Sequence, residues 1–187
     1  MSTLELPRLE TARCVLTLLQ PENAHLLLAY KRQNAAHLEP WEPARNATDG
    51  TLEDACHLMA ARSLQGFRDG TAVQLVAIDH ESHAMVAGCN FTNIVRGPFQ
   101  ACHLGYSVDA QRQGQGLMRE VIQVGIAYMF DDVGLHRIMA NHMPSNLRSA
   151  RLLQSLGFER EGLARSYLQI AGQWQDMVLN ALVNPRS

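Results

Sequence analysis

The run DAQRQGQGLMREV, residues 109–121, sets Gln111, Gly114 and Gly116 in the spacing Q-x-x-G-x-G, directly before a segment with helical periodicity. Glycines at the mouth of a helix leave its first N–H groups uncovered. Together with the positive end of the helix dipole, those groups bind anions. Arg112 and Arg119 add positive charge beside the run. A dinucleotide fingerprint needs a third glycine where Arg119 stands, and a P-loop needs Gly-Lys-Ser/Thr, so neither standard nucleotide loop fits. Two readings stay open: main-chain N–H groups that hold a pyrophosphate, or a tight strand-to-helix turn with no ligand.

The elements around this run follow from hydrophobic period. Arg13–Gln20 reads as a strand, and Pro21 suits the first position of a helix reaching about Gln33. Asn34–Gly50, with two prolines, reads as a loop, and Thr51 with Asp54 as a capping box for a helix toward Gly70. Val73–Asp79, Ala84–Val95 and Ala101–Val108 form an antiparallel meander, with Gly88 and Gly105 marking bulges or close backbone approach. From Gly116 to Gly134 a helix turns Leu117, Val121, Val124 and Tyr128 to the core, with Met118, Ile122 and Met129 beside them. Leu135–Met143 is a further strand, joined in a parallel, right-handed unit. A short helix follows Pro144-Ser145-Asn146 and stops at Gly157, and two last strands turn at Ala171-Gly172. The expected fold is α/β in the α+β sense: about seven strands, mostly antiparallel, flanked by about four helices, in one domain spanning residues 1–187.

Sixteen basic and eighteen acidic residues leave a net charge of −2, which supplies no global field for nucleic acid or an anionic membrane. Cys14, Cys56, Cys89 and Cys102 are widely spaced, with no zinc-ligand spacing, so no metal is expected. The first residues lack a basic, then apolar, export pattern, and no window approaches a membrane span. A cytoplasmic protein, monomer or homodimer, with reduced and mostly buried cysteines is expected.

The glycine loop, with Asn146-x-x-Ser149 and Leu156-Gly157-Phe158 downstream, resembles the Gcn5-related N-acetyltransferase (GNAT) family, which uses acetyl-coenzyme A. The runs HLEPWEP, NFTNIVRG, LGYSV, GQGLM, HRIMAN, GFEREG and GQWQD are similar to its RimJ-type branch, which acetylates the N-terminal alanine of a small-subunit ribosomal protein. The similarity runs from about Pro7 to Pro185. It implies that the N–H groups of Gln113, Gly114, Gln115, Gly116, Leu117 and Met118 hold the coenzyme pyrophosphate. It also implies that the strand ending at Ser107 and Val108 splays from its neighbour in mid-sheet and that pantetheine enters the gap. Val108 N–H would then polarise the thioester carbonyl, and Asn146 would bind the pantetheine arm. The implied partner is the N-terminal peptide of a ribosomal protein, with the ribosome or its precursors behind it.

Many relatives place a tyrosine acid seven residues after the motif asparagine. Here that position is Leu153. The nearest hydroxyl candidate is Ser149, in contact with the cofactor, with simple small-residue packing as the alternative. A related N-terminal acetyltransferase has a glutamate base where Asn141 stands, and asparagine can hold a water or orient the amine but takes no proton. His103, Glu39, Glu42 and Asp176 are the other proton acceptors in view. Glu42 also suits an incoming α-ammonium, Trp41 either a specificity loop or a core anchor, and Asp176 the closing of the last hairpin. Arg148 and Arg151 read as a solvated helix face. Two other functions stay open: acetylation of a small amine, and a ribosome-assembly binding module with catalysis secondary.

Overall fold

The structure, a computed structural model, describes residues 5–44 and 51–186. Alternation of side chains makes its strands. In β2 (Cys14–Leu18) Cys14, Leu16 and Leu18 are fully buried while the residues between them are not, the period-two pattern of a sheet packed on one face. β1 (Arg8–Glu10), β2, β3 (Val73–Asp79), β4 (Met85–Val95) and β5 (Ala101–Val108) pair antiparallel in order. β6 (Arg137–His142) lies parallel to β5, and β8 (Gln173–Val183) then β7 (Glu159–Ile170) complete one eight-stranded sheet.

The β5–β6 ladder is the feature that shapes the site. It spans only Ala101↔Arg137, Cys102↔Ile138 and His103↔Met139. Beyond His103, β5 stays paired to β4 as far as Val108 and β6 stays paired to β8 as far as His142, so the two strands diverge. One edge of β5 from Leu104 to Val108 is thereby left without a strand partner in the middle of a sheet. Backbone groups there need a hydrogen-bonding partner from elsewhere.

Helices cover both faces. α4 (Leu117–Asp131) buries Val121, Ile122 and Met129 against Cys89, Phe91, Cys102 and Ile138. α5 (Leu147–Ser155) adds Leu153 to the same core. On the opposite face α1 (Ala24–Gln33) and α3 (Leu52–Arg68) enclose Leu27, Tyr30, Cys56 and Ala60 with Val76 and Met85. Thr51 and Asp54 close α3 as a reciprocal capping box.

A Cβ added to Gly125, in mid-α4, would lie 3.0 Å from Phe91 Cε2 and 3.2 Å from Cys89 Sγ. The helix sits close on the sheet because that position has no side chain. Gly125→Val is expected to lose about 1–3 kcal/mol through overpacking, which the helix-propensity gain of under about 1 kcal/mol does not offset. A lower urea midpoint with an unchanged slope checks this.

Among the described residues the sheet has eight strands rather than about seven, since β1 is three residues long, too short to show a period, and five α-helices form rather than about four. Within the expected loop Asn34–Gly50, Ala35–Leu38 is helical (α2) and Glu39–Trp41 is a 3₁₀ turn, anchored by buried Leu38; residues 45–50 lie outside the described residues. Proline suits that turn because the first positions of a helix need no N–H donor. In the β3–β4 and β4–β5 ladders the register shifts fall at Ala77/Ile78 and Thr92/Val95 and not at Gly88 or Gly105. Gly88 lies opposite Ser107, and Gly105 has open space where a Cβ would stand.

Candidate active site

The glycine loop is fastened at its start and open at its end. Asp109, buried, accepts from Gln111 N at 2.7 Å, from Gln33 Nε2 at 3.0 Å and from Asn34 Nδ2 at 3.2 Å. Asn34 Oδ1 in turn accepts from Ala110 N at 2.9 Å, so the end of α1 fixes the entry to the loop. Gly114 and Gly116 then take left-handed φ of 71° and 76°, with no atom within 4 Å of where their Cβ would be. That conformation is what requires glycine, and the space outside it stays clear.

α3 has its capping box, and α5 has Asn146 Oδ1 accepting from Ser149 N at 3.1 Å. Gly116, at the N-cap of α4, supplies no side-chain cap, so the first-turn N–H groups from Leu117 onward have no side-chain acceptor there, the arrangement that can bind an anion. Arg13 braces this corner, donating to Gln115 O at 3.0 Å and to the Glu120 carboxylate at 2.8 Å. Arg112 faces Asp79 at 3.3 Å, so the counter-charge expected of it beside the loop is already engaged. Arg119 is exposed. Gln113 links two helices: its Nε2 is 2.7 Å from His37 Nε2 on α2, and its Oε1 accepts from Arg148 Nη1 on α5. Arg148 is therefore more than a solvated residue.

Parity along β5 sorts the remaining candidates. Cys102, Leu104, Tyr106 and Val108 turn to the α4–α5 face, where Tyr106 Oη and Ser149 Oγ lie 2.6 Å apart. Burial pushes the Tyr106 phenol up to about 12, the hydrogen bond to Ser149 opposing it, so both hydroxyls keep their protons at neutral pH. The sequence reading missed Tyr106. Its only signal was strand parity with buried Leu104, two residues before it. Leu153, at the family's tyrosine position, is 1% exposed and belongs to the core.

His103, Gly105 and Ser107 turn to the other face, where Ser107 Oγ accepts from Tyr30 Oη at 3.0 Å. Burial raises the Tyr30 phenol, which therefore stays neutral. Asn141 shares this face, alternating with buried Ala140 and His142 on β6. His103 carries a buried Nδ1 with no hydrogen-bond partner, and burial lowers its pKa. A cleft of about 1340 Å³ joins both faces at the splay, lined by Asn90, Thr92, His103, Tyr106, Ser107, Asn141, Asn146 and Ser149 among others.

Glu42 lines the same cleft, its carboxylate 2.8 Å from Lys31 Nζ and its carbonyl accepting from Ala171 N at 3.0 Å. Trp41 is 40% exposed at the cleft rim and anchors no core. Asp176 accepts from Ser166 N at 2.8 Å within the last hairpin.

Residues 13–159 match the model of the acetyltransferase (GNAT) domain. The chain belongs to the GNAT family. It is 42% identical over 183 residues to the [ribosomal protein uS5]-alanine N-acetyltransferase of Escherichia coli, covering 95% of this chain and 91% of that one. The crystal structure of ribosomal-protein-S5-alanine acetyltransferase from Vibrio fischeri superposes with a TM-score of 0.88 at 35% identity, over 96% of this chain and 97% of that one. Mycobacterium smegmatis RimJ in complex with CoA-disulfide gives 0.82 at 26% identity, over 97% and 88%.

GNAT acetyltransferases use acetyl-coenzyme A, and the observed features fit that group. Uncapped N–H groups at Gln113–Met118 suit its diphosphate, and the unpaired β5 edge through Ser107 and Val108 suits the amides of its pantetheine arm. Asn146 commits its oxygen to the α5 cap, and its NH₂ is the group that would donate to the same arm. When bound, the coenzyme supplies an activated acyl thioester.

Proposed function

We propose that this enzyme acetylates the α-amine of the N-terminal alanine of a small-subunit ribosomal protein, drawing on acetyl-coenzyme A. The observation that carries this reading is the likeness to the Escherichia coli uS5-alanine enzyme along 95% of the chain.

The acceptor face is consistent with it. Glu39 and Glu42 are the carboxylates among the described cleft-lining residues, and Glu42 is engaged by Lys31. Asn141 accepts no proton. An amine must therefore arrive neutral or lose its proton to a weak base. At pH 7 that costs roughly 1.4 kcal/mol for an α-amine of pKa about 8, and roughly 4.6 kcal/mol for a lysine of pKa about 10.4. The site suits the α-amine. His103 lines the cleft and is neutral at pH 7 because burial lowers its pKa, so its imidazole is a weak acceptor, although its Nδ1 is itself buried. On the opposite face Ser149, backed by Tyr106, holds a proton ready for the departing sulfur.

The direct experiment is intact mass: the purified ribosomal protein with an alanine N-terminus gains one acetyl group in the presence of enzyme and acetyl-coenzyme A. No gain there, with turnover on small amines, would reassign the acceptor. The pH profile is a second expected result. kcat/KM rises about tenfold per unit toward a plateau near pH 8, as the α-amine loses its proton. Below the His103 pKa a second proton enters and the slope doubles, whereas His103→Gln keeps the single slope. A His103→Gln enzyme with kcat/KM equal to wild type throughout the profile removes His103 as acceptor.

A further inference from the structure

We infer that the rim of the cleft reads the segment following the acceptor's first residue and selects apolar side chains among its second to fifth residues. This rests on the transfer to a polypeptide N-terminus proposed above. Eleven large hydrophobic side chains are exposed among the described residues, and five of them line this one cleft: Trp41, Leu58, Met59, Tyr167 and Leu168, each 38–44% exposed. Hydrophobic residues scattered singly over a surface need no explanation, but convergence on one concave site marks a binding surface. The five come from three separate elements: the 3₁₀ turn 39–41, α3, and the distal half of β7. They do not belong to one amphipathic stripe left bare, because packing has brought them together.

The rim is continuous with the reaction floor, as both line the same cleft. Its parts are tied across: Ala171 N, in the β7–β8 turn, donates to Glu42 O at 3.0 Å, joining the Trp41 segment to the hairpin that carries Tyr167 and Leu168. An acceptor whose amine reaches His103 and Ser107 therefore passes between these side chains. The cleft of about 1340 Å³ takes in both the Tyr106–Asn146–Ser149 side that suits the coenzyme arm and the apolar rim, and an extended peptide advances about 3.3 Å per residue along the rim. Charge does not compete for the choice. Among the described residues, the Lys, Arg, Asp and Glu side chains lining the cleft are Lys31, Arg62, Glu39 and Glu42, two of each sign, with Lys31 and Glu42 paired at 2.8 Å. The occupant is thus a short extended N-terminal tail with a small first residue followed by apolar ones.

The test compares ten-residue peptides beginning with alanine, carrying either leucine and isoleucine or serine and glycine at positions two to five. Apolar peptides are expected to show KM lower by about tenfold or more, since one buried aliphatic side chain contributes that much, with kcat within a factor of about three. Met59→Ser combined with Leu168→Ser, both partly exposed, should erase the difference while the Kd for coenzyme A stays unchanged. Binding is also read without turnover. In a Trp174→Phe background Trp41 is the sole tryptophan, and apolar peptides should shift its emission at lower concentration than polar ones with coenzyme A bound. Equal KM and equal fluorescence Kd for the two peptide sets overturn the inference even if acetylation proceeds. If no peptide is acetylated, the acceptor reading fails, and the Trp41 titration alone decides whether the rim prefers apolar tails. A concentration-dependent dimer that the double variant converts to monomer assigns the rim to a second copy of the chain and overturns the proposal.

Discussion

Gly116→Glu is expected to weaken coenzyme A binding by at least about a hundredfold while the protein stays folded. Gly116 has φ 76°, and no atom lies within 4 Å of its Cβ position, so the new side chain starts into open space. The folded state loses only about 1–2 kcal/mol, the cost of a left-handed conformation in a residue with a Cβ. The ligand site loses far more. The carboxylate falls at the uncapped first turn of α4, where it takes the place of the anion that those N–H groups would otherwise hold. Gly116→Ala separates the two effects, since it carries the strain without the charge and should weaken binding only severalfold. Calorimetric titration with coenzyme A, beside thermal melts of both variants, checks the result. An unchanged Kd for Gly116→Glu would sink the assignment of the loop.

The second large effect concerns proton delivery. Ser149→Ala and Tyr106→Phe are each expected to lower kcat by about a hundredfold, the lower end of what a positioned acid contributes, with the Kd for coenzyme A changed less than threefold. Their hydroxyls lie 2.6 Å apart, and burial pushes the Tyr106 phenol up to about 12, so the pair is expected to act as one proton store rather than two independent donors. The double variant should then be no worse than the poorer single one, as for residues that work as a unit. Additive losses would give the two hydroxyls separate roles. An unimpaired Ser149→Ala enzyme removes serine as the acid, and Tyr106→Phe then asks whether the phenol serves alone.

Gln113 shows how a residue legible for one reason acquires a second role. Its place in Q-x-x-G-x-G points to a backbone N–H for a diphosphate. Folding adds a side-chain link between His37 and Arg148, so that helices α2 and α5 meet through the glycine loop. Glu42 illustrates the reverse. A loop carboxylate reads as a seat for an incoming ammonium, and the structure gives that seat to Lys31.

Local pattern was enough to place most of the elements, because helix and strand periods are properties of consecutive residues. The meander of β3–β5, the capping box at Thr51, the glycine entry to α4 and the Asn146 start of α5 could all be read along the chain. β1 and α2 escaped because three and four residues do not establish a period. Only the tertiary structure decided what meets across the chain: Tyr106 with Ser149, 43 residues apart, Asn34 with Asp109, 75 apart, and the early end of the β5–β6 ladder at His103. Such contacts depend on how helices pack on both faces of a twisted sheet and where two parallel strands part. No short window of sequence holds that information, which is why the glycine entry to α4 was readable along the chain and the Tyr106–Ser149 contact was not.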